Sequence, residues 1–389
     1  MIVVPVSVRG TAAVRDALLS HGWEGDVASL TAGGLSIAGF HVHGVAQPTL
    51  EAMVPLAARL GLELVTGPDW LILSGPRARL GAFARPWVQP EPVRDLAMAI
   101  GMAMPADMPQ QWLHARGTIP LEVPVMMGVV NTTPDSFSAS TRSSSPADAL
   151  ERVAALVEGG ATIVDVGGES TRPGAQAVDA EEELRRVVPT IAAMVASFPS
   201  LVISVDTVHA RTARAALDAG AAIVNDVTAG RHDPELLTAT AGQQAGLVLS
   251  HSRGPLGTLA DLTDDTELVA DMPGLVVREL DAAREAAQRA GVDFSRMVLD
   301  PGFGFGKSAA QNWRLLDSLD TLVALGSPVL VGVSRKRFLG DATGQPVELR
   351  DAATAAACAL AWDRGARVFR VHNPAAVRDA LAVAHATSP

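Results

Sequence analysis

From residue 125 onward the chain repeats one unit: a short apolar run that ends in polar or glycine residues, then an amphipathic helix. The runs are Val125–Asn131, Thr162–Gly168, Leu201–Thr207, Ala222–Val227, Gly246–His251, Arg296–Gly302, Pro328–Arg335 and Arg367–His372. Each is nearly continuous in Val, Ile and Leu, as parallel strands covered on both faces should be. Helical periodicity fills the gaps at Pro146–Glu158, Ala180–Ala196, Arg211–Ala219, Leu268–Ala290 and Ala309–Leu325. Eight strand–helix units over roughly 250 residues imply a closed (β/α)8 TIM barrel. An open doubly wound sheet shares the alternation and is the second reading.

The residues ahead of the repeat follow another pattern. Strand-like segments at Met1–Val8, Leu35–Val42 and Trp70–Ser74 alternate with helical ones at Thr11–His21, Thr49–Leu60 and Pro76–Phe83. A proline-rich turn over Pro86–Val93, a helix over Arg94–Met102 and a linker over Met104–Pro109 follow. This organisation places a small α/β N-terminal domain of unassigned role at residues 1–115 and a catalytic barrel at residues 116–389. His41 and His43 share one strand face, but with no third ligand nearby they read as an ordinary strand.

Composition narrows the partners. A net charge of −11 argues against a nucleic-acid backbone. It leaves room for a small anionic substrate held by a few local cations. No run is long and apolar enough to span a bilayer, and Met1–Val6 lacks the basic start of a secretory signal. The lone Cys358 fits a reducing cytoplasm, and its alanine-rich surroundings read as a buried thiol rather than a nucleophile. Of 31 basic residues only Lys307 and Lys336 are lysines, and each ends a glycine- or serine-marked turn. A compact ammonium is not interchangeable with a guanidinium fork, so both positions draw attention as chemical.

Barrels of this type gather active groups at the C-terminal ends of their strands. Those ends hold Asn131, Asp165, Asp206, Asn225 with Asp226, His251, Asp300, Ser334-Arg335-Lys336, and Arg370 with His372. Helix capping is the ordinary alternative for any one Asp, Asn or Ser. Asp165, Asp206 and Asp300 lie inside or at the end of their apolar runs, which favours chemistry. Three carboxylates beside an Asn can accept donors from a flat, nitrogen-rich heterocycle. Arg370, His372 and Asn131 can hold an anion or its metal. The stiff turn Thr171-Arg172-Pro173-Gly174 can close over such a site. The glycine-rich stretch Gly302–Ser308 imitates a phosphate loop, but Pro301 stands where that loop needs glycine. Its glycines are spaced evenly by two, which also departs from the dinucleotide fingerprint.

Taken in order, Met127–Ser138, Val164–Ala175, Ile203–Thr207, Asn225–Val227, Asp300–Lys307, Ser334–Lys336 and Arg370–His372 resemble the motifs of dihydropteroate synthase. The resemblance runs from Arg116 to Ala386; the region before it looks like an N-terminal extension. It implies a pterin-binding barrel of folate biosynthesis and a sulfonamide target. The implied reaction joins p-aminobenzoate to 6-hydroxymethyl-7,8-dihydropterin pyrophosphate, giving 7,8-dihydropteroate and pyrophosphate. It further implies Mg2+ as cofactor and a homodimer. By the same resemblance Asp206, Asn225, Asp300 and Lys336 hold the pterin, with Asp165 near it. Asn131, Arg370 and His372 take the pyrophosphate, with Mg2+ at Asn131. Thr171, Arg172, Pro173 and Ser334 frame p-aminobenzoate. Catalysis falls to Asp206, Asp300, Lys336 and Arg370. Four features depart from the family pattern: Thr132, the Ala139–Ser145 loop, Ser250 and Asn373. A pterin-dependent methyltransferase barrel would share Asp206, Asn225 and Asp300 but needs neither the Thr171–Gly174 turn nor Arg370 with His372. A non-catalytic pterin-binding paralogue is the other alternative, supported by the altered Ala139–Ser145 loop.

Overall fold

Two units divide the chain, Met1–Pro105 and Ala106–Pro389. The computed structural model describes residues 2–6, 37–76, 80, 83–84, 89–103, 109–132, 146–168, 179–254, 272–323 and 325–387.

In the first unit the described elements are β1 (Ile2–Val6), β2 (Ile37–His43), α1 (Gln47–Leu60), β3 (Glu63–Thr66), β4 (Trp70–Pro76) and α2 (Arg94–Ala103). The strands form an antiparallel sheet in the order β1-β2-β4-β3. Phe40, Val42, Met53, Leu71, Leu73, Leu96 and Ile100 share one apolar core in this unit. Gly61 ends α1 in the left-handed region at φ 63°, which a residue without a Cβ adopts at no steric cost. The sequence pattern missed β3, which is four residues long and only partly covered. The expected helix at Thr11–His21 lies outside the described residues. Pro76 closes β4, and the helix expected over Pro76–Phe83 is present at its described residues Leu80 and Phe83.

The second unit opens with a hairpin of β5 (Gln111–His114) and β6 (Gly117–Pro120). The alternation then runs β7 (Val125–Asn131), α3 (Pro146–Glu158), β8 (Ile163–Gly167), α4 (Ala180–Ser197), β9 (Val202–Asp206), α5 (Ala210–Asp218), β10 (Ile223–Asp226) and α6 (Glu235–Gly242). It continues through β11 (Gly246–Ser250), α7 (Met272–Arg289), β12 (Met297–Asp300), α8 (Ala309–Asp317), α9 (Leu319–Val323), β13 (Leu330–Val331), α10 (Arg337–Thr343), α11 (Asp351–Asp363), β14 (Val368–Val371) and α12 (Pro374–Ala386). The eight strands β7 to β14 form one parallel sheet, in the order β12-β11-β10-β9-β8-β7-β14-β13. A parallel bridge between Leu299 and Val329 joins its two ends, with the Leu299 N–H donating to the Pro328 carbonyl at 2.9 Å. The sheet is therefore the closed barrel expected from the eight runs. The single helix expected over Ala309–Leu325 is broken at Ser318, where the backbone leaves helical geometry (φ −104°, ψ 26°). Asp317 and Ser318 have short polar side chains that compete with helical hydrogen bonds.

The period of two along each strand separates the barrel's faces. Outward residues such as Met126, Val164, Ile203, Val224, Leu247, Leu299 and Phe369 join the core beneath the helices. Inward residues change character with height. Val125, Met127, Ile163, Ile223, Val248, Val298, Leu330 and Val368 make an apolar lower layer. The next inward position stays apolar at Val129 on β7 but is polar at Asp165, Asn225, Ser250, Asp300 and Arg370, with Ser204 of β9 level with Asp165. The hairpin supplies the floor: Trp112 is fully buried in the lower layer, and its indole N–H donates to the Arg296 carbonyl at 2.9 Å. A Cβ on Gly246 would meet Trp112 Nε1 at 3.2 Å, so this glycine lets the indole seat. Residues 111–115 thus belong with the barrel, ahead of the boundary at residue 116 that the sequence pattern suggested. Trp112→Ala should destabilise the barrel by about 3–5 kcal/mol through lost burial and a residual void. Chemical denaturation checks this, and an unchanged midpoint would remove the floor role.

Candidate active site

The inward polar layer is wired together at one end of the barrel. Asp165, fully buried on β8, accepts through Oδ2 from Asn225 Nδ2 at 2.9 Å and from Arg370 Nε at 2.7 Å. Arg370 also donates from Nη2 to Asp206 Oδ2 at 2.8 Å. The Arg370 guanidinium therefore spans two carboxylates of the neighbouring strands β8 and β9, both far from it in sequence. Burial works against its charge, but the Asp165 and Asp206 carboxylates outweigh that and raise its pKa. Burial pushes the Asp206 carboxyl up to about 7; Arg370 opposes the rise, while Asp165, Glu183 and Asp226 add to it. Asp165 Oδ1 and Asn225 Oδ1 are buried and have no hydrogen-bond partner among the described residues. A buried acceptor left unmatched is costly, so both oxygens stand ready for N–H groups of a ligand.

Asp300 ends β12 beside this net. Its Oδ1 accepts from the Gly302 N–H at 2.7 Å and its Oδ2 from the Ser250 hydroxyl at 3.2 Å. Burial raises its pKa, opposed by the Gly302 hydrogen bond and then by the Lys336 charge. The Lys336 ammonium lies 4.1 Å from the centre of the Phe305 ring. Burial, then the Arg370 charge, lowers its pKa to about 8, opposed by Asp300 and Asp206. Gly304 (φ +76°) leaves room for this lysine, since a Cβ there would sit 3.1 Å from Lys336 Cδ. Ser334 and His372 form a neighbouring pair. The His372 N–H donates to Ser334 Oγ at 3.1 Å, and His372 Nδ1 lies 3.0 Å from the same oxygen. Asn131 ends β7, partly exposed.

Two other groups near the strand ends are structural. Lys307 donates to the carbonyls of His251 at 3.1 Å, Gly302 at 2.9 Å and Phe305 at 3.2 Å, stapling the glycine-rich loop. Asp226 is spent on the Thr228 N–H and hydroxyl, both at 2.7 Å, and on the Gly230 N–H. Thr171, Arg172 and Pro173 lie outside the described residues, as does the Ala139–Ser145 loop. Sequence reasoning missed Glu183. Its carboxylate is buried near Asp206 and accepts from Thr207 Oγ1 at 2.7 Å, with His209 Nδ1 3.1 Å away. In sequence it hides among the acidic residues of the first turn of α4, behind the Asp179 cap, where charge normally faces solvent.

Residues 127–372 match the pterin binding enzyme family. A dihydropteroate synthase of Synechocystis sp. is 42% identical over 262 residues, spanning 67% of this chain and 89% of that protein. The chain belongs to the dihydropteroate synthase family. It is a transferase whose product is dihydropteroate. Two solved dihydropteroate synthases carry the same barrel. The Xanthomonas albilineans enzyme with 4-aminobenzoic acid aligns with a TM-score of 0.65 at 45% identity, covering 72% of this chain and 99% of that one. The Yersinia pestis enzyme in a sulfonamide drug complex aligns with a TM-score of 0.66 at 34% identity, covering 71% and 98%.

The shifted groups give the synthase a pH signature. Asp206 is protonated below about 7 and Lys336 deprotonates above about 8. If the reaction uses Asp206 as carboxylate and Lys336 as ammonium, kcat/KM should rise as pH climbs through the first value and fall beyond the second. Asp206→Asn should lose the rising limb as well as rate. A wild-type profile flat from about pH 6 to about pH 9 would contradict this assignment.

Proposed function

We propose that Asp165, Asn225, Asp206, Asp300 and Lys336 receive the bicycle of 6-hydroxymethyl-7,8-dihydropterin pyrophosphate, and that Arg370, His372 and Asn131 take its pyrophosphate. The observation that carries this reading is the pair of unmatched buried acceptors, Asp165 Oδ1 and Asn225 Oδ1, set beside the Arg370 guanidinium. Acceptors suit the N–H edge of a pterin, and a guanidinium suits phosphate oxygens. Thr171, Arg172, Pro173 and Ser334 frame p-aminobenzoate. Ser334 bonds the backbone of His372, so that substrate would lie next to the leaving group.

The chemistry follows from the charges. The bond from the pterin methylene to the pyrophosphate oxygen breaks, and its electron pair leaves with pyrophosphate. The methylene cation left behind is stabilised by the Asp206 and Asp300 carboxylates in a preorganised site. The aniline nitrogen of p-aminobenzoate donates its lone pair to that carbon and loses a proton to solvent. No protein nucleophile takes part.

The residues present fit Mg2+ of a particular kind. Among the described residues no three His, Cys, Asp or Glu side chains gather as a metal cage. Asn131 offers one neutral oxygen at the strand end, which suits an ion that keeps waters and takes phosphate oxygens as ligands. Bound there, Mg2+ would neutralise charge on the departing pyrophosphate. We extend three further features to this chain: sulfonamides compete with p-aminobenzoate, as the complex of the Yersinia pestis relative suggests; the enzyme is a homodimer, as in the family; and it works in the cytoplasm, in keeping with its single free thiol. Among the described residues no helix is long and apolar enough to cross a membrane.

Purified protein given both substrates and Mg2+ should release pyrophosphate in step with dihydropteroate. Pterin binding without release would instead establish the non-catalytic paralogue. Arg370→Ala should raise KM for the pterin pyrophosphate ~10-fold or more and KM for p-aminobenzoate far less, because a lost guanidinium removes a charge-assisted phosphate contact. Equal rises would reject the split. Lys336→Arg should lower kcat/KM at least ~10-fold, since a planar fork does not replace a compact ammonium packed on Phe305. Near-native turnover would reject that role.

A further inference from the structure

Asp351 stands outside the groups assigned above, yet it touches two segments that carry them. It begins α11, with its side chain one-quarter exposed. Its Oδ1 accepts from Arg335 Nε at 2.8 Å. Its Oδ2 accepts from Arg335 Nη2 at 3.0 Å and from Asn373 Nδ2 at 2.8 Å. Arg335 is the middle residue of the Ser334–Lys336 turn and holds a left-handed backbone at φ 58°, which a side chain with a Cβ disfavours. The start of α11 grips this turn from several directions. Thr354 Oγ1 accepts from the Arg335 N–H at 3.1 Å, and Arg350 Nη1 donates to the Arg335 carbonyl at 3.1 Å and the Lys336 carbonyl at 3.4 Å. Asn373 directly follows His372, whose N–H bonds Ser334. Two bridges thus join the turn after β13 to the segment after β14: Ser334 to His372 directly, and Arg335 to Asn373 through Asp351.

We propose that Asp351 is a positioning residue that locks the Ser334–Lys336 turn to the Arg370–Asn373 segment, so that the p-aminobenzoate side and the pyrophosphate side of the site keep one register. The proposal deepens the functional reading above and rests on it. It also accounts for an amide at position 373. A carboxylate there would face the Asp351 charge, whereas the amide donates to it. The charged groups around Asp351 are Arg335 and Arg350, with the His372 imidazole after β14; Arg152 of α3 feels the Arg335 charge and donates to the His372 carbonyl.

The test is a reciprocal swap: Asp351→Asn, Asn373→Asp and the double variant that exchanges amide and carboxylate. Asp351→Asn should lower kcat/KM for both substrates ~10-fold, because a small misplacement of reacting groups is expensive. Asn373→Asp should lose a similar factor at high pH. Its deficit relative to wild type should shrink as pH falls, since one of two facing carboxylates then takes up a proton. The double variant restores the amide–carboxylate pair but not the Arg335 ion pair, so it should recover part of the loss and end better than the worse single. Single variants indistinguishable from wild type, or a double variant no better than the worse single, would overturn the proposal. Hydrogen exchange at the His372 amide gives a readout independent of turnover. It should quicken in both single variants and recover in the double, and unchanged exchange would also overturn the lock. A wild-type enzyme without turnover but with the expected exchange pattern would refute the functional reading and leave the lock standing.

Discussion

The Arg370 guanidinium lies between the Asp165 and Asp206 carboxylates, and the geometry of the rim depends on it. Without it, two buried acids on neighbouring strands would repel each other. Removing the cation would leave uncompensated charge in a poorly solvated place, which is far more damaging than losing a surface ion pair. The three groups meet because of the strand order, which sets β14, β7, β8 and β9 side by side. Arg370 and Asp165 are 205 residues apart, and they become neighbours when β14 pairs with β7, which itself pairs with β8. Fold and charge arrangement are therefore one constraint. Without the pairing of β14 with β7, Arg370 would not reach Asp165 and Asp206.

Height within the barrel divides the labour. Below, an apolar layer is sealed by Trp112 of the hairpin and fixes the spacing of the strands. Above it, the inward positions become Asp, Asn, Ser and Arg except on β7, which keeps Val129. The lower layer contributes stability through burial, and the upper layer spends some of it on polar atoms without protein partners. Asp165 Oδ1 and Asn225 Oδ1 are such atoms. A ligand with matching donors would recover their cost, as the proposed pterin site requires.

Much of this was legible in the residues alone. Parallel strands buried on both faces leave continuous Val, Ile and Leu runs, so all eight strands stood out, and their polar ends marked Asp165, Asp206, Asn225, Asp300, Lys336 and Arg370. What stayed hidden has a common cause: it is made by contacts between distant residues that leave no local period. The Trp112 plug, the Glu183 carboxylate, the Ser250 hydroxyl on Asp300 and the Asp351 lock belong to that class. Lys307 was conspicuous as one of two lysines, but only the three carbonyls around it show that it staples a loop. Short elements were lost too. β3 is too brief and too exposed for a pattern, and the break at Ser318 interrupts an otherwise helical run.

The most direct test of the central claim is a double-mutant cycle at Asp206 and Arg370, read by calorimetric binding of 6-hydroxymethyl-7,8-dihydropterin pyrophosphate. If the guanidinium and the carboxylate act as one unit across the pterin and pyrophosphate ends, Asp206→Asn and Arg370→Ala should be strongly coupled, with the double variant losing at least ~5-fold less affinity than the two singles multiplied together. Losses that simply multiply would show two independent groups and contradict the account.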